Sequence, residues 1–111
     1  MTVADFVSDL LAALIQFEVS QQVTVEAEGP TVSGRAFLAE EMFLAFYFNQ
    51  KTGTQAFALV KGNQRLWGID FDNMRGWHLH PLEAPEQHVA IESQTVSDII
   101  QQFSTATTKL T

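Results

Sequence analysis

The residues best suited to chemistry in this chain of 111 residues lie in one segment, DNMRGWHLHPLEAPEQH, residues 72–88. The segment contains every histidine of the protein, at positions 78, 80 and 88, and one arginine, Arg75. Imidazole groups act as general acids and bases near neutral pH, or as ligands of transition metals. A guanidinium group beside them stabilises negative charge that develops on a phosphoryl group. The segment therefore supports two kinds of chemistry.

The first hypothesis is metal-independent acid–base cleavage of RNA. One imidazole would act as general base and another as general acid, while the guanidinium group would stabilise a phosphorane-like transition state. Because the 2′-hydroxyl of RNA is the nucleophile, this reaction needs neither a metal nor a thiol. The residues predicted to carry it are His78, His80, His88 and Arg75.

The residues around the histidines are predicted to bind the substrate. Trp77 can stack on an unpaired base, and Asn73 can orient a histidine or contact a phosphate, with Asp72 beside it. Each residue also has a purely structural interpretation. Asp72 and Asn73 are common turn residues, and Trp77 can anchor the segment to the core.

The second hypothesis is a metal site. His78 and His80 are two residues apart, so both imidazoles point to one side if the chain between them is extended. His88 or a carboxylate can complete a tetrahedral or facial ligand set. The candidate carboxylates are those of Asp70, Asp72, Glu83 and Glu86. Paired cysteines and a helical histidine motif are absent, so no bound metal or other cofactor is predicted.

The composition indicates a single small globular domain, residues 1–111, with an acidic balance. Apolar residues make up 46% of the chain, enough for a packed core. Thirteen acidic residues against six basic ones give a net charge of −7. Non-specific nucleic-acid binding is therefore not expected, although a local basic patch can still bind RNA. The absence of cysteine excludes thiol catalysis, disulfides and thiolate metal sites.

The start of the chain, MTVADFVSD, lacks the basic segment and apolar block of a secretory signal. No apolar run approaches the length of a membrane span. A cytoplasmic protein without membrane contact is therefore expected.

The hydrophobic periodicity predicts an α+β fold, in which an antiparallel β-meander of about five strands packs against an N-terminal and a C-terminal helix. Helical spacing occurs over 2–16 and 95–110, each beginning with a threonine followed three residues later by an aspartate, as in a capping box. Segment 89–92 can add a brief strand, and 72–88 is predicted as a loop. The five strands are predicted at 21–29, 32–40, 42–50, 54–62 and 64–71.

The third predicted strand, MFLAFYFNQ, is apolar on both faces. Two helices can cover only one face of the sheet. A curled sheet, a second copy of the chain or another protein must cover the other face, and a homodimer requires the fewest assumptions.

The C-terminal half resembles the TumE-like family of small bacterial and archaeal toxins. A strand containing Leu66 and Ile69 leads to an aspartate-asparagine step and then to a loop rich in histidine and proline. The acidic segment VAIES and a closing helix that begins at Thr95 follow. The positions that match the family pattern in kind are Asp72, Asn73, His78, His80 and His88.

This resemblance implies a cognate antitoxin as partner, usually a neighbouring DNA-binding protein, and RNA as a possible target. The chain departs from the family pattern at Arg75-Gly76-Trp77, where the family shows a proline and adjacent histidines. The lysine usually found beside the last histidine is also missing. Its loss weakens the expected phosphate binding and puts nuclease activity in doubt.

A non-catalytic binding module is the third hypothesis. In that case the exposed sheet face and the 72–88 segment contact another protein, and the histidines are incidental. Harmless overexpression of the protein would favour this hypothesis over a toxin.

Overall fold

Two helices and seven strands form within the residues that the computed structural model describes, 1–20, 22–39 and 41–110. The predicted strand ends at Gln21 and Glu40 lie outside those residues. The elements in chain order are α1 (Val3–Gln16), β1 (Gln22–Glu28), β2 (Thr31–Phe37), β3 (Met42–Asn49), β4 (Gln55–Lys61), β5 (Gln64–Asp72), β6 (Gly76–His80), β7 (Val89–Ala90) and α2 (Val96–Thr108).

The strands form one antiparallel meander in the order β1-β2-β3-β4-β5-β6-β7. The predicted α+β class and sheet type are confirmed, but the predicted number of five strands is wrong. The error lies in the segment predicted as a loop, which contains β6. There Asp72 pairs with Gly76 across a three-residue turn, and Gly76 has a φ of 71°. Glycine adopts this left-handed conformation without steric cost, so β6 can turn back along β5.

Both helices begin with the predicted capping box. In α1, Thr2 Oγ1 accepts the Asp5 N–H at 3.0 Å, and the Asp5 carboxylate accepts the Thr2 N–H at 3.0 Å. In α2, Thr95 and Asp98 make the same reciprocal pair, at 3.0 and 2.9 Å. Each box satisfies two backbone donors that the first helical turn would otherwise leave unpaired.

The core lies between the helices and one face of the sheet, called here the helix face. Along β3 every second residue is buried, and Phe48 stacks on Phe6 of α1 with ring centroids 4.8 Å apart. Trp67 of β5 contacts Phe103 of α2 at 5.9 Å. The residues of β3, β4 and β5 buried on this face include Leu44, Phe46, Phe48, Phe57, Leu59, Trp67 and Ile69.

The opposite side of the sheet, called here the outer face, has no helix on it. Phe43, Ala45 and Tyr47 of β3 lie there and are half-buried. The guanidinium group of Arg35 lies 4.5 Å from the centre of the Phe43 ring. The outer face thus combines apolar and cationic side chains, and its covering by a second copy of the chain stays a prediction.

A β-bulge interrupts the pairing of β4 with β5. Leu59 pairs with Trp67, but the next residue, Val60, pairs with Arg65. Leu66 is therefore the extra residue, and the alternation of β5 changes phase there. Strict alternation from Trp67 would place Arg65 on the helix face, whereas the bulge directs it to the outer face.

Across the described residues, neither helix has the length and apolar character needed to cross a membrane.

Candidate functional site

A pocket of about 350 Å³ opens on the outer face where β5 and β6 pair. The four predicted catalytic residues come from three parts of the 72–88 segment: the turn before β6, β6 itself and the connection after it. All four line this pocket. These residues are His78, His80, His88 and Arg75. Two further charged residues, Asp70 and Arg65 of β5, line it as well.

Strand pairing places the two buried imidazoles. In β6 the apolar residues Trp77 and Leu79 face the core, so the alternate residues His78 and His80 face outward. His78 pairs with Asp70, and His80 pairs with Gly68. Gly68 allows β5 to approach β4 closely, because a Cβ there would lie 2.9 Å from the Phe57 carbonyl oxygen, and it lies beside the His80 ring, whose Cδ2 would be 3.6 Å from that Cβ.

The ring nitrogens of the two buried histidines follow one pattern. Nε2 of His80 lies 3.0 Å from Asp70 Oδ2, and Nε2 of His78 lies 3.5 Å from the same oxygen. Each Nδ1 faces a backbone carbonyl oxygen, that of Pro85 at 3.1 Å for His80 and that of Gly76 at 3.3 Å for His78. Both Nε2 atoms therefore converge on one carboxylate.

The segment between β6 and β7 brings the third imidazole to the cluster. Two consecutive turns are closed by Ala84 N–H to Pro81 O at 3.1 Å and Gln87 N–H to Ala84 O at 3.0 Å. They lead the chain from Leu82, which lies beside α2, to His88 on the outer face. Prolines at 81 and 85 favour such turns because their φ is fixed. The segment thereby supplies the Pro85 carbonyl and positions His88.

His88 is the exposed member of the cluster. Its ring centroid lies 4.5 Å from that of His80 and 5.3 Å from that of His78, and the two buried rings are 5.2 Å apart. One ring nitrogen from each histidine lies within 4.8 Å of the others. Partial desolvation in the pocket, together with the nearby His80 and Arg75, lowers the pKa of His88.

The two arginines of the pocket have no carboxylate partner. Asp70 pairs with the histidines, and no Asp or Glu oxygen within the described ranges lies within 4 Å of a nitrogen of Arg65 or Arg75. Nη2 of Arg65 lies 3.3 Å from His80 Nδ1.

The predicted substrate-binding residues are placed differently from one another. Asp72 lines the pocket. It also fixes the turn before β6, because its Oδ1 accepts the N–H groups of Arg75 at 2.8 Å and Met74 at 2.9 Å. These hydrogen bonds, that of Arg75 first, lower the pKa of Asp72. Asn73 donates to the Thr52 carbonyl at 2.9 Å, which ties the turn to the β3–β4 connection. Trp77 lies on the helix face, outside the pocket, with its ring 5.1 Å from that of Phe71.

Sequence reasoning missed Arg65 entirely and named Asp70 only as one of four candidate carboxylates. Glu83 and Glu86, two of the other three, do not line the pocket. The spacing of Asp70 and His78 carries a usable signal, because two outward residues on adjacent antiparallel strands become neighbours once β6 is recognised as a strand. Arg65 gives no such signal, since its direction depends on the bulge.

No family model, curated protein or solved structure matches the chain. The pocket is therefore the feature of the molecule that indicates a function, and the resemblance to TumE-like toxins stays a prediction.

Proposed function

We propose that the protein binds a divalent transition-metal ion, Zn²⁺ in the first instance, in the outer-face pocket. The ligands would be Nε2 of His78, Nε2 of His80, an oxygen of Asp70 and a ring nitrogen of His88. The observation that carries the proposal is the convergence of two buried Nε2 atoms on Asp70 Oδ2, at 3.0 and 3.5 Å.

The two distances to Asp70 fit a tetrahedral centre, whereas the histidine nitrogens, which lie within 4.8 Å of one another, would move closer together when a metal binds. With metal–ligand bonds of about 2.0 to 2.1 Å, two donor atoms of a tetrahedron lie about 3.3 Å apart, and the two observed separations are 3.0 and 3.5 Å. Three imidazoles on such a metal have ring centroids about 5.2 Å apart. The observed centroid distances are 5.2, 5.3 and 4.5 Å.

The hydrogen bonds of the buried rings also fit metal binding. A histidine ligand commonly donates its other ring N–H to a backbone carbonyl or a carboxylate, which fixes the tautomer. If Nδ1 of each ring donates to the carbonyl that it faces, the lone pairs of both Nε2 atoms point toward Asp70 Oδ2. Three acceptor atoms facing one another repel unless a cation lies among them. A metal ion satisfies all three.

The pocket suits a hydrolytic role for such a centre. Four protein ligands fill a tetrahedral centre, so a water or a substrate oxygen would bind in place of exposed His88 or as a fifth ligand. A Zn²⁺ held in this way would act as a Lewis acid and lower the pKa of that water. The protein's own groups would hold the ion by three imidazoles and one carboxylate, while exposed His88 leaves one side of the cluster open to solvent. A substrate can reach the centre from that side.

Metal analysis of protein purified without a histidine tag tests the proposal. We expect one bound metal per chain, and we expect Co²⁺ to give the intense visible absorption of a tetrahedral site. His80→Ala and Asp70→Asn should each weaken Co²⁺ affinity at least about tenfold, since each removes a ligand. Glu83→Gln, a carboxylate change in the same segment but outside the pocket, is the matched control. Absence of Co²⁺ binding, or equal binding by His80→Ala, would exclude the centre.

Metal-independent cleavage of RNA by a toxin resembling the TumE-like family is the second candidate function. It is favoured by the second set of hydrogen bonds open to His80, in which Arg65 Nη2 donates to Nδ1 at 3.3 Å and Nε2–H donates to Asp70 at 3.0 Å. This Arg65–His80–Asp70 chain fixes the opposite tautomer and requires no metal. His78 and His88 would then be free to exchange protons with a substrate.

Growth and chelation experiments separate the two candidates. A toxin expressed without its antitoxin should slow growth, and His80→Ala should relieve that effect. RNA cleavage that persists after complete removal of metal by a chelator would favour the metal-independent reaction. Normal growth together with intact RNA would reject the toxin and favour a metal-binding protein without toxic activity.

A further inference from the structure

Two unpaired guanidinium groups lie beside the imidazole cluster in an acidic protein. The chain carries a net charge of −7 and has only three arginines, at positions 35, 65 and 75. Two of them line the same pocket. Among the described residues no arginine nitrogen, including those of Arg35, lies within 4 Å of an Asp or Glu oxygen, although Asp72 attracts Arg75 electrostatically. What sets Arg65 and Arg75 apart is that both line this pocket.

Dedicated backbone features place both arginines. The bulge between Leu59 and Val60 turns Arg65 from the helix face to the outer face. The three-residue turn that Asp72 caps holds the backbone of Arg75 at the rim of the pocket. Bulges of this kind commonly redirect a side chain next to a functional site.

We infer that Arg65 and Arg75 bind a phosphate group of the substrate beside the metal centre. This inference rests on the proposed function for its setting, although the arginines and their lack of carboxylate partners are observed independently. The guanidinium fork matches the oxygens of a phosphate and is more weakly hydrated than an ammonium group, so arginine is the common choice for such a ligand.

Charge favours a phosphate over a carboxylate. Two guanidinium groups and a divalent metal, opposed by the carboxylates of Asp70 and Asp72, still leave an excess of positive charge in the pocket. A phosphate carries up to two negative charges and presents three or more oxygens, enough to reach the metal and both arginines. The acidic surface elsewhere weakens this attraction little, because cellular salt screens exposed charges beyond about 8 Å.

Titration of the Co²⁺-loaded protein with inorganic phosphate, in a phosphate-free buffer at constant ionic strength, tests the inference. We expect phosphate to change the visible spectrum of the bound Co²⁺. Arg65→Gln and Arg75→Gln should each weaken phosphate affinity about tenfold or more, as expected for loss of one charge-assisted contact. Phosphate affinity is compared at saturating Co²⁺, because Arg65 contacts the His80 ring and its loss can also change Co²⁺ affinity. Arg35→Gln is the matched control, since Arg35 lies over Phe43 and does not line the pocket.

A second arm identifies the source of the phosphate. A short single-stranded RNA without terminal phosphates offers only phosphodiesters, whereas a nucleoside monophosphate offers a terminal group. Competition with bound phosphate by the RNA alone would assign the site to the nucleic-acid backbone. Competition by the monophosphate alone would assign it to a small phosphate ester.

The outcomes distinguish this inference from the proposed function. Co²⁺ binding with a spectrum that phosphate does not change, and with no calorimetric signal for phosphate, would overturn the inference and leave the metal centre in place. If no metal binds, the proposed metal centre is rejected, and calorimetry on the metal-free protein tests phosphate binding alone. Phosphate binding that depends on Arg65 and Arg75 then supports the inference. No phosphate binding in either state overturns the inference.

Discussion

The geometry of the pocket depends on one glycine as much as on the histidines. Gly68 pairs with His80, and the His80 ring and the Arg65 side chain lie beside its backbone. An added Cβ would lie 2.9 Å from the Phe57 carbonyl oxygen of the neighbouring strand and 3.7 Å from Arg65 Cδ. Since real Cβ atoms rarely approach a backbone oxygen so closely, β4 and β5 would have to move apart.

We therefore expect Gly68→Ala to destabilise the metal-free protein by about 1 to 3 kcal/mol, the usual cost of overpacking. The measurement is urea unfolding followed by tryptophan fluorescence. Ser33→Ala, a small change elsewhere on the outer face, should stay within about 0.5 kcal/mol of the wild type. Equal stability of Gly68→Ala and wild type would show that the strands absorb the extra methyl without strain.

At the scale of elements, the sequence predicts what depends on local periodicity and misses what depends on strand pairing. Both helices with their capping boxes, and the first five strands, follow from spacing alone. Strand β6 was missed because turn residues and prolines surround its five residues, and its pattern becomes informative only beside β5. The direction of Arg65 was unpredictable for a related reason, since one extra residue reverses the alternation of a strand.

The capping box of α2 gives a pH dependence with a definite sign. The hydrogen bonds with Thr95 lower the pKa of Asp98 from its ordinary 3.8. A lowered folded-state pKa contributes stability that is present above pH 3.8 and is lost as the pH falls through the folded value. Asp98→Asn should therefore be less stable than wild type at pH 7, and the difference should shrink below pH 3.8. Thermal unfolding at a series of pH values measures it, and a difference that is constant down to pH 3 would contradict this assignment.

At the scale of the whole molecule, the sheet separates stability from chemistry. The helix face holds the packed core, and the outer face holds the imidazole cluster and the arginines. Only part of that division follows from the sequence, because the apolar pattern on both faces of β3 predicts that something other than the two helices covers the outer face. The convergence of His78, His80 and His88 required the fold, since turns 81–87 bring the last of them back over the sheet.

The half-buried apolar residues of the outer face support the prediction of a homodimer. We expect light scattering to give twice the chain mass of 12.4 kDa. Tyr47→Glu places a charge among these residues and should yield a folded monomer, because burying an unpaired carboxylate in an interface is costly. Gln16→Glu, an exposed change on α1, should remain dimeric. A wild-type monomer at the highest soluble concentration would rule out this interface.

Strand β6 presents alternate residues to the two sides of the sheet. Substitutions along it should therefore alternate between those that mainly impair folding and those that mainly impair Co²⁺ binding. Replacing Trp77 or Leu79 should reduce the yield of folded protein but leave Co²⁺ binding in the protein that folds, whereas replacing His78 or His80 should abolish Co²⁺ retention even in the protein that folds. A saturation library of these few codons, sorted once for abundance and once for Co²⁺ retention, would therefore show two interleaved patterns of intolerance along a single strand.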